Sequence, residues 1–470
     1  MVKLYNTRTR RIDEFQPING NHIGMYCCGP TVYNFAHIGN LRTYIFEDIL
    51  RKTLQRAGYD ITHVMNITDV GHLTSDGDEG EDKMLLGAQR EHLSVLQIAR
   101  KYEDAFFEDT KSLNIARPTV VARATEHIQD IIRFVKGLQE KGYAYIADGN
   151  VYFDTSKFPS YGDFAHLDVD NLRYGARVDE DGNKKNKTDF VLWFTKSKFE
   201  NQILTWDSPW GVGYPGWHIE CSAMAMKYLG EQVDIHCGGI DHIPVHHTNE
   251  IAQSEALLGH QWVNFWLHGE FLVLQKAKMS KSSGTFLTLS VLKDKGYNPL
   301  HYRYLTLTAH YRSTLSFTFE NLENAKNTYE GIKSKVLELR KLAKEEKSSS
   351  KDEELKIKYI QEFNDFLYND LNTPQALTVL FAVLKDVDLS AGAKLEILED
   401  MDSVLGLKIQ DFKEETLSVS AEVQSLIDER LQARADKNWQ KSDELRDKIA
   451  SLGFAIKDLP QGKYELTSLE

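Results

Sequence analysis

Residues 23–67 read IGMYCCGPTVYNFAHIGNLRTYIFEDILRKTLQRAGYDITHVMNI. The apolar run from Ile23 to Tyr26 predicts a short buried strand. It ends after Cys27-Cys28-Gly29, because Pro30 cannot donate to a β-ladder. Between residues 41 and 57, Ile45, Ile49, Leu50 and Leu54 recur at helical spacing, and Gly58 stops the run. Residues 61–67 then predict a second strand. Strand, loop, helix, strand is a βαβ unit, and such sheets hold ligands beyond the carboxyl ends of their strands.

Outward from this unit, helices are predicted at 94–109 and 121–141. Between residues 144 and 210 the character changes: short aromatic strands at 143–145, 151–153 and 190–194 lie among polar, Gly- and Asp-rich turns. We read this stretch as an insertion splitting a nucleotide-binding fold. The α/β pattern resumes at 233–236, turns at Gly238-Gly239 and enters a helix near 245–258. Beyond residue 330 polar helical segments dominate, with 344–354 predicted as a surface loop or frayed helix end and 422–452 as a small helical module. The expected class is therefore α/β: a Rossmann-like parallel-sheet domain split by an insertion, then a helical region and a small C-terminal module.

The chain has 470 residues, enough for two or three domains, and 41% hydrophobic with 27% charged residues fits a globular protein. No apolar h-region follows Met1, and no run of about 18 apolar residues occurs later, so a cytoplasmic protein without membrane attachment is expected. The net charge of −13 argues against indiscriminate coating of nucleic acid but leaves room for a local basic patch. Four cysteines, Cys27, Cys28, Cys221 and Cys237, are too few for a disulfide scaffold and stand as core residues, nucleophiles or metal ligands.

Two elements suit phosphate. His37-Ile38-Gly39-Asn40 falls where a helix begins, offering unpaired N–H groups, close backbone approach at Gly39 and hydrogen-bond donors from His37 and Asn40. Asn40 could equally serve as the helix N-cap, with His37 a surface turn residue. Lys278-Met279-Ser280-Lys281-Ser282 places two lysines three apart among small hydroxyl residues, a cationic loop able to meet the charge of a triphosphate. Neither follows the P-loop or dinucleotide glycine pattern. Asp241, after Gly238-Gly239-Ile240, is placed to accept from a ribose hydroxyl or to fix a neighbouring donor.

His246 and Glu250 lie four apart on one predicted helix and share a face, whereas His247 is turned about 100° away. With Cys28 and Cys221 they would form a plausible tetrahedral zinc set of two sulfurs, one nitrogen and one oxygen. Cys27 and Cys28 face opposite ways in extended backbone, so one of them is expected at the metal. Cys237 reads as a small core side chain.

At this point the sequence closely resembles the cysteinyl-tRNA synthetases, a class I aminoacyl-tRNA synthetase family, over essentially its full length. His37–Asn40 matches the HIGH element with Asn40 in place of the second histidine, and 278–282 matches KMSKS without change. The stretches GWHIECSAM (216–224), 234–241, HHTNEIAQS (246–254), DLNTP (370–374) and PQG (460–462) are also similar. The resemblance implies that Cys28, Cys221, His246 and Glu250 hold one zinc ion that takes the substrate thiolate, with Trp217 lining the amino-acid pocket. It implies His37, Gly39, Asn40, Gly239, Asp241, Lys278, Ser280 and Lys281 as the ATP site, with His37, Asn40, Lys278 and Lys281 as the catalytic group. Mg2+ accompanies ATP, and the partners implied are L-cysteine and cysteine tRNA, with the enzyme acting as a monomer. Thr248 stands where glutamate is more usual and, two residues from His246, should point away from the metal.

The implied domains are 1–120 and 211–270 as the two catalytic halves, 121–210 as the inserted connective domain and 271–330 as the KMSKS loop with a tRNA stem-contact region. Residues 331–405 would be a helical tRNA-binding domain and 406–470 a C-terminal anticodon-recognition module. Two other readings compete: the cysteine ligase of mycothiol synthesis, and a non-catalytic, zinc-containing RNA-binding protein. The long tail after residue 330 speaks against the first, and the retained lysines and ligand set against the second.

Overall fold

The computed structural model describes residues 1–70, 84, 90–167, 182–196, 204–274, 287–344, 350–414, 420–458 and 464–469. The opening βαβ unit forms as its periodicity predicts: strand β1 (His22–Cys27), helix α1 (Ile38–Arg56) and strand β2 (Asp60–Ile67). Ile38, Leu41, Ile45, Ile49 and Leu54 are among the buried residues of α1, the stripe that packs toward the sheet.

Residues 121–141 do not form one helix. Val120–Arg123 is strand β3, parallel to β2, and the helix begins only at Ile128. The β-branched pair Val120-Val121 suits a strand, and the sheet offered it a partner that local periodicity could not show. Helix α2 (Trp217–Leu229), strand β4 (Val233–Gly239), helix α3 (Thr248–Leu258) and strand β5 (Val263–Gly269) complete the domain.

All five strands are parallel, in the order β5-β4-β1-β2-β3. The chain leaves β1 in one direction to β2, while β4 returns much later to the other side of β1. The boundary between β1 and β4 is thus the point where strand order reverses, the place where open α/β sheets bind ligands. A four-stranded antiparallel sheet, built from Ala144–Ala147, Asn150–Phe153, Phe190–Phe194 and Tyr214–Pro215, lies in the chain between β3 and α2.

Downstream, Arg42 of α1 donates from its guanidinium to the carbonyls of Glu270 (2.8 Å), Phe271 (2.5 Å), His310 (3.2 Å) and Ser313 (2.5 Å). This grip holds the start of α1 beside the short parallel pair Leu272–Leu274 and Leu315–Phe317. Helices Phe319–Leu342, Ser350–Leu367, Thr373–Lys385 and Ala391–Leu405 follow. Within 344–354, the helix from Ser350 replaces part of the expected loop. Residues Met1–Gln410 form one compact unit and Asp411–Glu470 a second. The second has helices Ala421–Ala435 and Trp439–Ser451 and, beyond the helical module expected, an antiparallel hairpin of Phe454–Asp458 with Tyr464–Ser468. Its core joins Val423, Ile427, Ile449 and Ile456, and buried Arg430 binds Asp458 through both guanidinium nitrogens at 2.7 and 3.0 Å. Among the described residues no helix is long and apolar enough to cross a membrane.

Candidate metal and nucleotide site

Cys28 leaves the end of β1, and its N–H donates to the carbonyl of Cys237 on β4 at 3.1 Å. This pins the loop after β1 at the strand-order reversal. Cys27 and Cys28 do face opposite ways: Cys27 lies beside Cys237 and Glu47, whereas Cys28 lies beside Cys221 and Glu250. Gly29 is needed immediately after, because a Cβ there would sit 1.8 Å from the Asn66 carbonyl oxygen, while its N–H donates to Asn66 Oδ1 at 2.8 Å.

Cys221 arrives on the first turn and a half of α2, and His246 and Glu250 come from the segment entering α3. The donor atoms of Cys28, Cys221, His246 and Glu250 all lie within 4.8 Å of one another, and all four side chains are buried. Two sulfurs, one imidazole nitrogen and one carboxylate oxygen at that mutual spacing fit a single four-coordinate ion such as zinc. His246 Nε2 is 2.9 Å from Glu250 Oε1, and the Trp217 ring stacks on His246 at 4.2 Å between centroids.

A second group of side chains, not singled out from the sequence, interlocks with the first. Cys28 and Glu250 also gather with His236 and His247 within the same 4.8 Å limit. His247 is not turned away. Its Nε2 is 3.4 Å from Cys28 Sγ, and its Nδ1 is 2.7 Å from His268 Nε2. The reason is local: Ile243–His247 forms a π-helical turn containing Pro244. A π turn is wider than an α turn, so successive side chains diverge less, and both histidines reach the interior. His236, on β4, meets Glu250 Oε2 at 2.9 Å. A polar residue amid the buried alternation of β4 was the signal available for it. Thr248 does point elsewhere, donating to the Ile243 carbonyl at 2.7 Å.

The electrostatics follow from dense burial. Desolvation raises the Cys28 thiol well above its usual value, and Cys221 beside it adds to the shift. Burial also works against ionising Cys221, but Cys28 and His246 outweigh it and lower that thiol. For Glu250, His236 and His246 overcome burial and hold the carboxyl low, while His246 is raised by Glu250 and Cys221 against its own desolvation. His247 and His268 are pushed well down by burial and by their fellow histidines, which favours neutral, ligand-competent rings.

A cleft of about 280 Å³ opens above this cluster. Cys28, Cys221, His246 and Trp217 line one end, and His37, Asn40, Gly239 and Asp241 line it as well. His37 is the N-cap of α1. Its Nδ1 accepts from the Asn40 backbone N–H at 3.1 Å, and Asn40 Oδ1 accepts from the His37 N–H at 3.3 Å. This reciprocal cap has a chemical consequence. With Nδ1 accepting, the neutral imidazole carries its proton on Nε2, and with Oδ1 occupied Asn40 is left with its amide N–H groups, so both side chains retain donors. A Cβ on Gly239 would meet Asp241 Oδ1 at 2.3 Å, so glycine permits that carboxylate to fold close over the turn. Lys278, Ser280 and Lys281 lie outside the described residues. The described flanks of that segment meet α1: Leu272 Cβ is 3.8 Å from the Cβ position at Gly39, and the Ile38 N–H donates to the Leu287 carbonyl at 2.9 Å.

Residues 14–327 match the model of the class I (C) tRNA synthetase catalytic domain, and residues 417–464 match the cysteinyl-tRNA ligase anticodon binding domain. The cysteine–tRNA ligase of Treponema denticola is 51% identical, covering 97% of this chain and 98% of its own length. This chain belongs to the cysteine–tRNA ligase family. A second relative, the cysteine–tRNA ligase of Borrelia hermsii, is 44% identical with 98% of each chain covered. The family's fold extends to more distant solved structures: methionyl-tRNA synthetase of Mycobacterium tuberculosis with methionyl-adenylate aligns with a TM-score of 0.56 at 13% identity, over 82% of this chain and 90% of that one.

Proposed function

We propose that the protein activates L-cysteine with ATP to cysteinyl-adenylate and transfers the cysteinyl group to the 2′-hydroxyl of the 3′-terminal adenosine of cysteine tRNA. The observation that carries this is that Cys28, Cys221 and His246 of the S2NO donor quartet and the capped start of α1 line one cleft. Held by Cys28, Cys221, His246 and Glu250, zinc would take a soft anion as a further ligand, which would separate a thiol substrate from serine where a pocket using size alone would fail.

The remaining steps belong to the chain's own residues. Trp217 walls the amino-acid end, so the substrate carboxylate is directed toward the α-phosphorus of ATP. His37 and Asn40 donate to phosphate oxygens at the positive end of α1. Gly239 and Asp241 receive the adenosine side. Lys278 and Lys281, with Ser280, take the charge that develops as pyrophosphate leaves with its Mg2+; the contacts of both segment flanks with α1 support this assignment. No protein nucleophile is required, because positioning and charge stabilisation drive both transfers.

Cysteine-dependent exchange of pyrophosphate into ATP, measured with metal content, tests the reading. Cys221→Ser should lose metal and discrimination against serine together; full discrimination without metal would sink it. Charging of cysteine tRNA then separates this function from transfer of cysteine to a small amino sugar.

A further inference from the structure

Tyr26 lies on β1 two residues before Cys28 and is completely buried. Its ring packs in the cluster that holds Cys28, Cys221, Trp262 and Trp266, and its centroid is 5.0 Å from that of His236. The hydroxyl at the end of this ring has no nitrogen or oxygen partner among the described residues. A fully buried O–H without such a partner is costly and rare, and one aimed at a ligand cluster points to a sulfur acceptor there. The acceptor it faces is the sulfur of Cys221, with Cys28 and Glu250 further round the same pocket. Glu250 is already engaged on both oxygens, by His246 and by His236, each at 2.9 Å. Cys28 faces His247 Nε2 at 3.4 Å. Cys221 neighbours Cys28 and His246, but these become co-ligands rather than donors when a metal is held.

We propose that Tyr26 is a positioning residue of the metal centre: its hydroxyl donates to the Cys221 sulfur once that sulfur serves as a ligand, and thereby sets how strongly the sulfur binds the metal. A neutral thiol is a weak acceptor, whereas a ligating thiolate is a strong one, so the hydrogen bond from the hydroxyl is strongest in the loaded site. Withdrawing charge from one ligand sulfur leaves the metal more receptive to the incoming substrate thiolate. The inference rests on the metal reading of Cys28, Cys221, His246 and Glu250.

The test is Tyr26→Phe in the full-length protein, which keeps the ring and removes the hydroxyl. Zinc affinity, measured by competition with a chromophoric chelator, should fall about tenfold. In the cobalt-substituted protein the thiolate-to-metal charge-transfer band should move, a change that a purely packing role would not produce. The metal-free variant should melt at or above the temperature of the metal-free wild type, since an unpaired polar group has been removed. An unmoved band with unchanged affinity would overturn the proposal. So would a metal-free variant that melts well below its wild-type counterpart, because the hydroxyl would then hold the fold without any metal. A wild type that binds no zinc would instead overturn the reading of the cluster itself.

Discussion

His63 sits on β2, buried, with neither ring nitrogen hydrogen-bonded, and burial lowers its pKa to about 3, with Arg51 adding to the effect. The unfolded chain takes up a proton near the ordinary histidine value of about 6.5, while the folded chain resists until about pH 3. Between those values the unfolded state binds more protons, so stability falls as pH drops below about 6.5. His63→Leu should flatten that limb of a denaturation-against-pH curve and leave stability above pH 7 little changed. Glu47 gives the opposite sign. Both its oxygens are buried without a nitrogen or oxygen partner, and desolvation raises its pKa against the opposing Cys27 thiol, so the folded state keeps its proton to a higher pH than the unfolded state does. Glu47→Gln should therefore stabilise the protein increasingly as pH rises above the ordinary glutamate value of about 4.5, with the gain shrinking toward pH 4 in a denaturation-against-pH curve. At this scale the sequence was legible where chemistry is distinctive. Cys28, Cys221, His246 and Glu250 are unusual donors at suggestive positions, whereas His236 and His63 are both single histidines in strands, and only their surroundings make one a ligand neighbour and the other a buried neutral ring.

The cap of α1 shows how one element combines folding with chemistry. His37 and Asn40 close a reciprocal cap and also carry the donors that face the cleft. Asn40→Ala should cost about 1 kcal/mol of stability through the lost cap, and in exchange assays a greater loss in rate than in cysteine affinity through the lost donor. Gly29 is more severe: the added Cβ of Gly29→Ala meets backbone at the end of β2 and should destabilise by about 3 kcal/mol in urea titration. Elements were read correctly where one local period ran unopposed, as in α1. The stretch 121–141 misled because only a short turn at Ala124–Glu126, with no glycine or proline to mark it, parts the strand from the helix, and the π turn at Ile243–His247 was invisible because periodicity presumes an α-helix.

The described parts of the proposed activation site lie within Met1–Gln410, and the stretch matching the anticodon binding domain lies within the second unit. A chain ending at Gln410 should keep cysteine-dependent exchange near the full-length rate while losing charging of cysteine tRNA, each forfeited base contact being worth about 1–3 kcal/mol. Equal loss of both activities would show that the second unit supports the catalytic fold instead. The sequence by itself determined the parallel α/β class, the βαβ opening, the helix start that faces the cleft and the four donor residue types. These follow from short-range periodicity, from the special backbone chemistry of glycine and proline, and from the scarcity of Cys and His. The tertiary structure decided which donors meet. That depends on β4 returning beside β1 across some two hundred residues of intervening chain, which turns Cys28 toward Cys221, Cys27 toward Cys237, and brings His236 and His247 against Glu250. Strand neighbours are chosen by the burial of whole faces, a long-range free energy that no local pattern encodes.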